Sequence, residues 1–129
     1  MPAGNEVIQT ALDLIAAFAN NDREKYFSYF APDASFIFYS VDRLLESRAA
    51  YEEEWAGWIE NIGFHVEECV SMNQKVTIYG DIAVFLHETR TRVSTNDGEH
   101  VYNERETIIF HKIEGKWLGV HEHLSLVPS

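Results

Sequence analysis

Three ionisable side chains in the second half of the chain have the types and spacing for proton transfer: His87, Glu106 and Glu122. All three lie in segments where apolar and polar residues alternate, which indicates neighbouring β-strands. Two carboxyl groups held opposite each other in a half-dry pocket repel, so one of them should have a raised pKa and serve as a general acid or base. His87 is the candidate partner. In the alternative interpretation, both glutamates lie at the open rim of the sheet and are solvated.

The pairing of these glutamates depends on the turn between the last two strands. We expect Ile113-Glu114-Gly115 to form a three-residue loop with its glycine in the left-handed conformation. Ile108 then lies opposite Val120, and Glu106 lies opposite Glu122. A two-residue loop would exchange the faces of the last strand, because a slip of one residue inverts a face. The loop assigns these residues to the face toward the helices: Phe85, His87, Thr89, Thr91, Glu104, Glu106, Ile108, Phe110, Val120, Glu122 and Leu124. It assigns these to the opposite face: Glu88, Arg90, Arg92, Arg105, Thr107, Ile109, Trp117, His121 and His123.

Aromatic residues are candidates for the wall of a pocket. Large rings that project from the first strand and the third helix could cover a flat apolar ligand. The predicted substrate-binding residues are Tyr39, Trp55, Trp58, Thr89, Ile108 and Phe110. In the alternative interpretation, Trp55 and Trp58 are core aromatics at helical spacing, which need no ligand.

His121 and His123 place two imidazoles on one face of a strand, which could begin a metal site. Zinc needs at least a third protein ligand, and the candidates His111 and Glu88 have no motif spacing. We therefore predict no metal and no other cofactor. The alternative role for the two histidines is a surface pair or part of an oligomer interface.

Two regular patterns indicate which elements hold these side chains. Apolar residues from Val7 to Ala19 recur every three or four positions, as in an amphipathic helix. Asp22 can cap a second short helix, with Tyr26, Phe27 and Phe30 inward, that ends at Ala31-Pro32-Asp33. A further apolar set, Tyr51, Trp55, Trp58 and Ile62, predicts a third helix capped by Ser47.

The strand pattern begins at Ser35–Ser40 and, after Gly63, continues to the end of the chain. The predicted strands are residues 64–79, 82–93, 101–112 and 116–126, joined by short polar loops. Consecutive strands with such loops form an antiparallel meander. Helices first and sheet second give an α+β class in one domain, residues 1–129, with the N-terminal helices packed on a strongly curved antiparallel sheet that forms a cone-shaped pocket.

The amino-acid composition limits which molecules and metals the protein is expected to bind. The chain has 129 residues, 46% of them hydrophobic, and a formal net charge of −11. That balance disfavours nucleic acid and anionic membrane surfaces. Cys69 is the only cysteine, so an internal disulfide and a cysteine-based zinc site are both excluded. No basic leader segment and no apolar run of about 20 residues occurs, and we expect a cytoplasmic protein.

The segments Asn103–His111 (NERETIIFH) and Gly115–Ser125 (GKWLGVHEHLS), with Asp33-Ala34-Ser35 before the first strand, resemble the SnoaL-like or nuclear-transport-factor-two-like superfamily. The association domain of calcium/calmodulin-dependent kinase two ends in a similar stretch. The resemblance covers nearly the whole chain and implies a pocket enclosed by helices and a curved sheet. It leaves function open, because members include isomerases, dehydratases, cyclases and non-catalytic assembly domains.

Differences from these relatives limit which ligands and activities are expected. In the kinase association domain the arginine that looks into the pocket follows a Glu-Thr pair, and here that position is Ile108. Leu124 stands where some relatives have arginine, so an anionic ligand held by arginines is not expected. Ketosteroid isomerases have a carboxylate base in the region that corresponds to Phe36–Tyr39, which contains no acid here.

These observations predict a domain that binds an apolar or aromatic small molecule and could act as a cofactor-free isomerase, cyclase or dehydratase. The alternative is a non-catalytic oligomerisation domain. We also expect a homodimer, because Val84, Leu86, Ile109 and Trp117 would otherwise form an apolar patch on the exposed face of the sheet.

Overall fold

The helices form where the apolar spacing predicts them. The computed structural model describes residues 3–128, in which α1 is Ala3–Ala19, α2 is Arg23–Ser28 and α3 is Arg48–Ile62. Ser47 caps α3 by accepting a hydrogen bond from the backbone N–H of Ala50, and Gly63 ends it in the left-handed conformation (φ 64°). Asp22 caps α2 in the same way. None of these helices is long and apolar enough to cross a membrane.

Five strands form one open sheet in the order β1-β5-β4-β3-β2. Their bounds are Phe30–Phe38 for β1, His65–Tyr79 for β2, Ile82–Thr95 for β3, Gly98–Ile113 for β4 and Lys116–Leu126 for β5. Strands β2 to β5 form the predicted antiparallel meander. The α+β class is confirmed, but the sheet is mixed, because β1 pairs with β5 in parallel.

Strand β1 begins five residues earlier than the predicted Ser35, at Phe30, and α2 ends at Ser28 rather than at Ala31-Pro32-Asp33. Proline lacks a backbone donor and is tolerated on an edge strand, which is the position of β1 in the sheet. Phe30 is consequently a buried strand residue and not part of the inner face of a helix.

The predicted pairing of β4 with β5 is wrong. The turn is the two-residue Glu114-Gly115, with positive φ at both positions (50° and 80°), as a tight type I′ hairpin requires. Phe110 pairs with Gly119 but Ile109 pairs with His121, so Val120 is the extra residue of a β-bulge.

Relative to the predicted pairing, the short turn shifts β5 by one residue and so exchanges its two faces. The bulge at Val120 adds a second shift of one residue, which restores the predicted faces after Val120. Glu122 therefore faces the helices as predicted, although its partner is Ile108 rather than Glu106. Before the bulge the face is inverted. Trp117, predicted on the outer face, is buried, and its Nε1–H donates to Glu6 of α1 at 3.3 Å.

The core lies between the helices and one face of the sheet. Helix α1 packs on β2 and touches β3 and β5, while α2 and α3 pack on β1. The largest buried side chains are aromatic, and they contact one another mostly edge to face, as the ring quadrupoles prefer. These are Tyr26, Phe30, Phe36, Trp55, Phe85 and Phe110.

Candidate functional site

A cavity of about 410 Å³ lies between the helices and the sheet. This volume is within the range of about 300–1,000 Å³ that is typical of small-molecule pockets. Most of the wall is apolar or aromatic, and the polar side chains form two clusters that share strand β4. The lining residues are Leu14, Ile15, Phe18, Tyr26, Phe38, Tyr39, Ser40, Tyr51, Trp58, Ile62, Phe64, Cys69, Thr89, Thr91, Val93, Thr95, Tyr102, Glu104, Glu106, Glu122 and Leu124.

The first polar group, here called the inner cluster, consists of Tyr26, His87, Glu106 and Glu122. Tyr26 and Glu122 are 2% and 3% exposed, so this group lies deep in the molecule. The carboxyl groups of Glu106 and Glu122 are hydrogen-bonded to each other, diagonally across the β4–β5 pair. The two candidate catalytic carboxyls are therefore brought together.

The two buried carboxyl groups disfavour being ionised together. Burial raises the pKa of Glu122 well above its ordinary value, and the negative charge of Glu106 raises it further. Burial also raises the pKa of Glu106, while the hydrogen bond from Glu122 acts in the opposite direction. Glu122 is thus the proton donor of the pair and Glu106 the acceptor.

His87 completes the inner cluster from strand β3. Its Nε2 lies 2.6 Å from Oε1 of Glu106, and its Nδ1 lies 2.6 Å from Oγ of Ser71. Burial lowers the pKa of His87 to about 4, so the ring is neutral at pH 7 and has one N–H. An ionised Glu106 can only accept, so it takes the Nε2–H, and Nδ1 accepts from the hydroxyl of Ser71.

Two phenols support Glu122 from the helical side. The hydroxyl of Tyr26 donates to Oε1 of Glu122 at 3.2 Å and lies 3.1 Å from the hydroxyl of Tyr51. Burial raises the pKa of both phenols well above the ordinary value, so both stay protonated. The cluster is a continuous chain of hydrogen bonds from Ser71 on the edge strand to Tyr51 on α3.

The second polar group, here called the outer cluster, consists of Tyr39, Thr89, Thr91 and Glu104. Glu104 is 6% exposed, and its carboxylate accepts hydrogen bonds from three hydroxyls: Thr91 at 2.8 Å, Thr89 at 3.3 Å and Tyr39 at 2.5 Å. Tyr39 is 41% exposed, so this group lies where the cavity opens to solvent. The pKa of the Tyr39 phenol is raised by burial and by its hydrogen bond to Glu104.

The predicted substrate-binding residues divide into two groups. Tyr39, Trp58 and Thr89 line the cavity. Trp55, Ile108 and Phe110 are at most 1% exposed and belong to the core, which agrees with the alternative interpretation for Trp55. Their side chains fall on the predicted face but pack against core residues.

Three contributors to the site are not among the residues predicted from the sequence. Tyr26 was assigned to a helix core, and nothing in its spacing indicates a carboxyl partner 96 positions away. Ser71 forms a hydrogen bond with His87 beside a bulge at Asn73-Gln74. No sequence motif predicts this bulge. Glu104 was placed on the correct face, and the alternation of β4 was the signal that could have identified it as a site residue.

His121 and His123 lie apart from the cavity. Their ring centroids are 6.3 Å apart, and Nδ1 of His121 is 2.8 Å from Oγ of Ser35. Within residues 3–128, no group of three or more histidine, cysteine, aspartate and glutamate side chains is arranged to hold a metal ion. Cys69 lines the cavity as a neutral thiol, because burial raises its pKa to about 12.

Residues 7–129 match the family of SnoaL-like domains. No curated protein matches the chain in sequence. Among solved structures, an NTF2-like protein from Cytophaga hutchinsonii has a TM-score of 0.84 at 15% identity, covering 98% of this chain and 100% of that one. The CamKII hub homology domain of Chlamydamonas reinhardtii has a TM-score of 0.76 at 24% identity, covering 99% and 100%. At these identities the similarity establishes the NTF2-like fold and leaves the activity open.

Proposed function

Since the chain belongs to the family of SnoaL-like domains, we propose that it binds a small molecule in its cavity and moves a proton within it. One observation carries the proposal: a hydrogen-bonded carboxyl pair, Glu106 with Glu122, faces a cavity large enough for a ligand. An acid and a base side by side can remove a proton at one atom and return it at another. Isomerisation, cyclisation and elimination of water all need that pair of steps.

The roles follow from the protonation of the two groups. Glu106 is the base, which takes a proton from an acidic C–H or O–H of the ligand. Glu122 is the acid, which gives its proton to a developing oxyanion or to a leaving hydroxyl group, so that water departs in a dehydration. His87 positions Glu106 through the 2.6 Å contact of its Nε2. Because the His87 ring is neutral, it does not cancel the charge of the Glu106 carboxylate, which stays basic.

The test is proton exchange on a panel of aryl ketones that carry an acidic α-hydrogen. Deuterium incorporation from D₂O is followed by NMR with the wild-type protein, Glu106→Gln and Glu53→Gln. General-base catalysis typically contributes about 10²–10⁴-fold, so Glu106→Gln should lose exchange by that order. Glu53 is exposed on the opposite side of α3, and its variant should match the wild type. Exchange that is no faster with the wild type than with Glu106→Gln would overturn the acid–base roles.

A second candidate, a non-catalytic association domain, is favoured by the outer face of the sheet. Val70, Met72 and Leu86 are 42%, 38% and 39% exposed on the same face of β2 and β3, where their cross-strand partners are Arg90, Glu88 and Lys75. An apolar patch of this kind is typical of an interface between subunits. The patch differs from the predicted one, because Trp117 is buried on the inner face, and Val84 and Ile109 are half-buried.

The proposed occupant of this patch is a second copy of the chain, which would give a homodimer. Light scattering at micromolar concentration should give twice the mass of the chain for the wild type and the mass of one chain for Leu86→Lys. Leu12→Lys is the matched control, because Leu12 is 38% exposed on α1, away from the patch. A wild-type protein that scatters as a monomer would remove this candidate.

A further inference from the structure

The cavity is negatively charged. Three glutamates line it, and none of its lining residues within the described part of the chain is a lysine or an arginine. The adjacent His87 does not offset these acidic side chains, because burial lowers its pKa to about 4 and the ring is neutral at pH 7. The walls are therefore acidic in a setting of low dielectric, where a negative charge acts more strongly than in water.

Glu104 is the carboxylate whose charge has no counter-ion. It is 94% buried, and the partners that the structure gives it across residues 3–128 are the neutral hydroxyls of Thr89, Thr91 and Tyr39. Hydroxyl donors orient a carboxylate but do not neutralise it, and an unpaired buried charge is unfavourable. A cation that enters the cavity would find this carboxylate already desolvated and fixed in position.

Aromatic rings line the same cavity, and that of Tyr39 lies beside Glu104. The rings of Tyr39 and Tyr102 lie 6.4 Å apart, and those of Trp58 and Phe64 lie 5.4 Å apart; all four residues line the cavity. The faces of tyrosine and tryptophan attract a cation placed within about 6 Å. Rings beside a buried carboxylate suit an ammonium group attached to a flat apolar body.

We infer that the ligand of this cavity is a cation, a protonated amine on an aromatic or alicyclic body. Its ammonium group pairs with Glu104 beside the rings of Tyr39 and Tyr102, and its apolar body lies against Trp58 and Phe64. This places the far end of the ligand toward Glu106 and Glu122. The inference rests on the proposed function, since it names the class of molecule that enters the same cavity.

Three probes of nearly equal shape test the charge. Tryptamine carries an ammonium group, 3-propylindole replaces it with a methyl group, and indole-3-propionate replaces it with a carboxylate. Calorimetric titration of the wild-type protein at pH 7 should give tryptamine at least about tenfold tighter than 3-propylindole, which corresponds to about 1.4 kcal/mol. Indole-3-propionate should not bind. This comparison needs no variant, so it does not depend on how a substitution folds.

Two variants that each remove one carboxylate test whether Glu104 is the group that binds the ammonium of tryptamine. Glu104→Gln should weaken tryptamine about tenfold and leave 3-propylindole unchanged, whereas the exposed Glu53→Gln should change neither. Equal binding of tryptamine and 3-propylindole by the wild type would overturn the cation inference and leave the ligand-binding proposal standing. The cation inference would also be overturned if Glu104→Gln bound tryptamine as tightly as the wild type does. If none of the three indoles binds, the cation inference is rejected, and the proton-exchange assay on the aryl ketones tests the proposed function separately.

Discussion

Glu104 and Glu106 lie two positions apart on the same face of β4, yet they belong to two different kinds of site. Glu104 accepts hydrogen bonds from three hydroxyls, near the point where the cavity opens. Glu106 faces a second buried carboxyl group, that of Glu122, and contacts a neutral imidazole. Residue type, strand and face are the same in both cases.

The difference comes from the residues on the neighbouring strands. On β3, Glu104 pairs with Thr89 and Glu106 pairs with His87. On β5, the partner of Glu104 is Leu126, whereas Glu106 pairs with Leu124 and reaches Glu122 diagonally. Cross-strand partners thus convert one glutamate into a fixed charge and the other into half of an acid–base pair. The following predictions test that contrast, beginning with the largest effect.

His87 should make the inner cluster sensitive to acid. Its pKa is lowered to about 4 in the folded protein, against about 6.5 in an unfolded chain. The unfolded state therefore binds the additional proton between these values, and stability falls as pH falls through this window. Relative to His87→Gln, the wild-type protein should lose about 3 kcal/mol of unfolding free energy from pH 6.5 to 4, at about 1.4 kcal/mol per pH unit.

Denaturant titrations at several pH values measure this difference. His123→Gln is the control, because His123 is exposed on the outer face, and its pH profile should follow the wild type. Parallel profiles for His87→Gln and the wild type would mean that His87 is not held neutral.

Glu122→Gln should stabilise the protein at neutral and alkaline pH. Because folding raises the pKa of Glu122, the folded state binds its proton more tightly than the unfolded state does. The wild type therefore loses stability as pH rises from about 4.3 to the folded pKa, and a neutral amide avoids that loss. Glutamine can still accept from Tyr26 and donate to Glu106, so we expect a gain above pH 7 that exceeds the about 0.2–1 kcal/mol of an ordinary like-charge cross-strand pair.

The gain should vanish below pH 4, where both carboxyls of the wild type are protonated. Thermal melts across this range check it, and Glu99→Gln, at an exposed position of β4, is the matched control. A Glu122→Gln melt equal to the parent at every pH would show that the carboxyl pair is solvated.

Thr91→Val should destabilise the outer cluster at all pH values. The substitution keeps the shape of the side chain but removes the donor that lies 2.8 Å from Glu104. A buried carboxylate that loses one hydrogen bond costs about 1.5 kcal/mol. Thr89→Val should cost less, because its bond is 3.3 Å long. Denaturant unfolding of both variants gives the ranking, and the reverse order would contradict this geometry.

Tyr39→Phe should have the smallest effect. Tyr39 donates to Glu104 at 2.5 Å but is 41% exposed, so water can replace the lost hydroxyl. We expect a loss of about 0.5 kcal/mol in the same unfolding assay. A loss larger than that of Thr91→Val would place Tyr39 in the buried part of the site and weaken the contrast between the two clusters.

Much of the fold could be predicted from local patterns. The three helices, the caps at Asp22 and Ser47, and the four strands of the meander follow from spacing and turn residues. The first strand was predicted at residues 35–40, but its parallel pairing with β5 was not, because that pairing joins residues that are far apart in the sequence. Its early start at Phe30 includes Pro32, a residue that indicates a helix end as readily as an edge strand.

The amino-acid sequence by itself determined that Glu104 and Glu106 share one face of β4, because side chains of a strand alternate with a period of two. It placed Glu122 correctly although the predicted loop was wrong, since the short turn and the bulge at Val120 cancel. Only the tertiary structure decided that Ser71 and Tyr26 complete the inner cluster, and that Trp55, Ile108 and Phe110 are core. The hydrogen bond between Tyr26 and Glu122, which are 96 positions apart, depends on how the helices pack on the sheet. That packing cannot be predicted from a local sequence pattern.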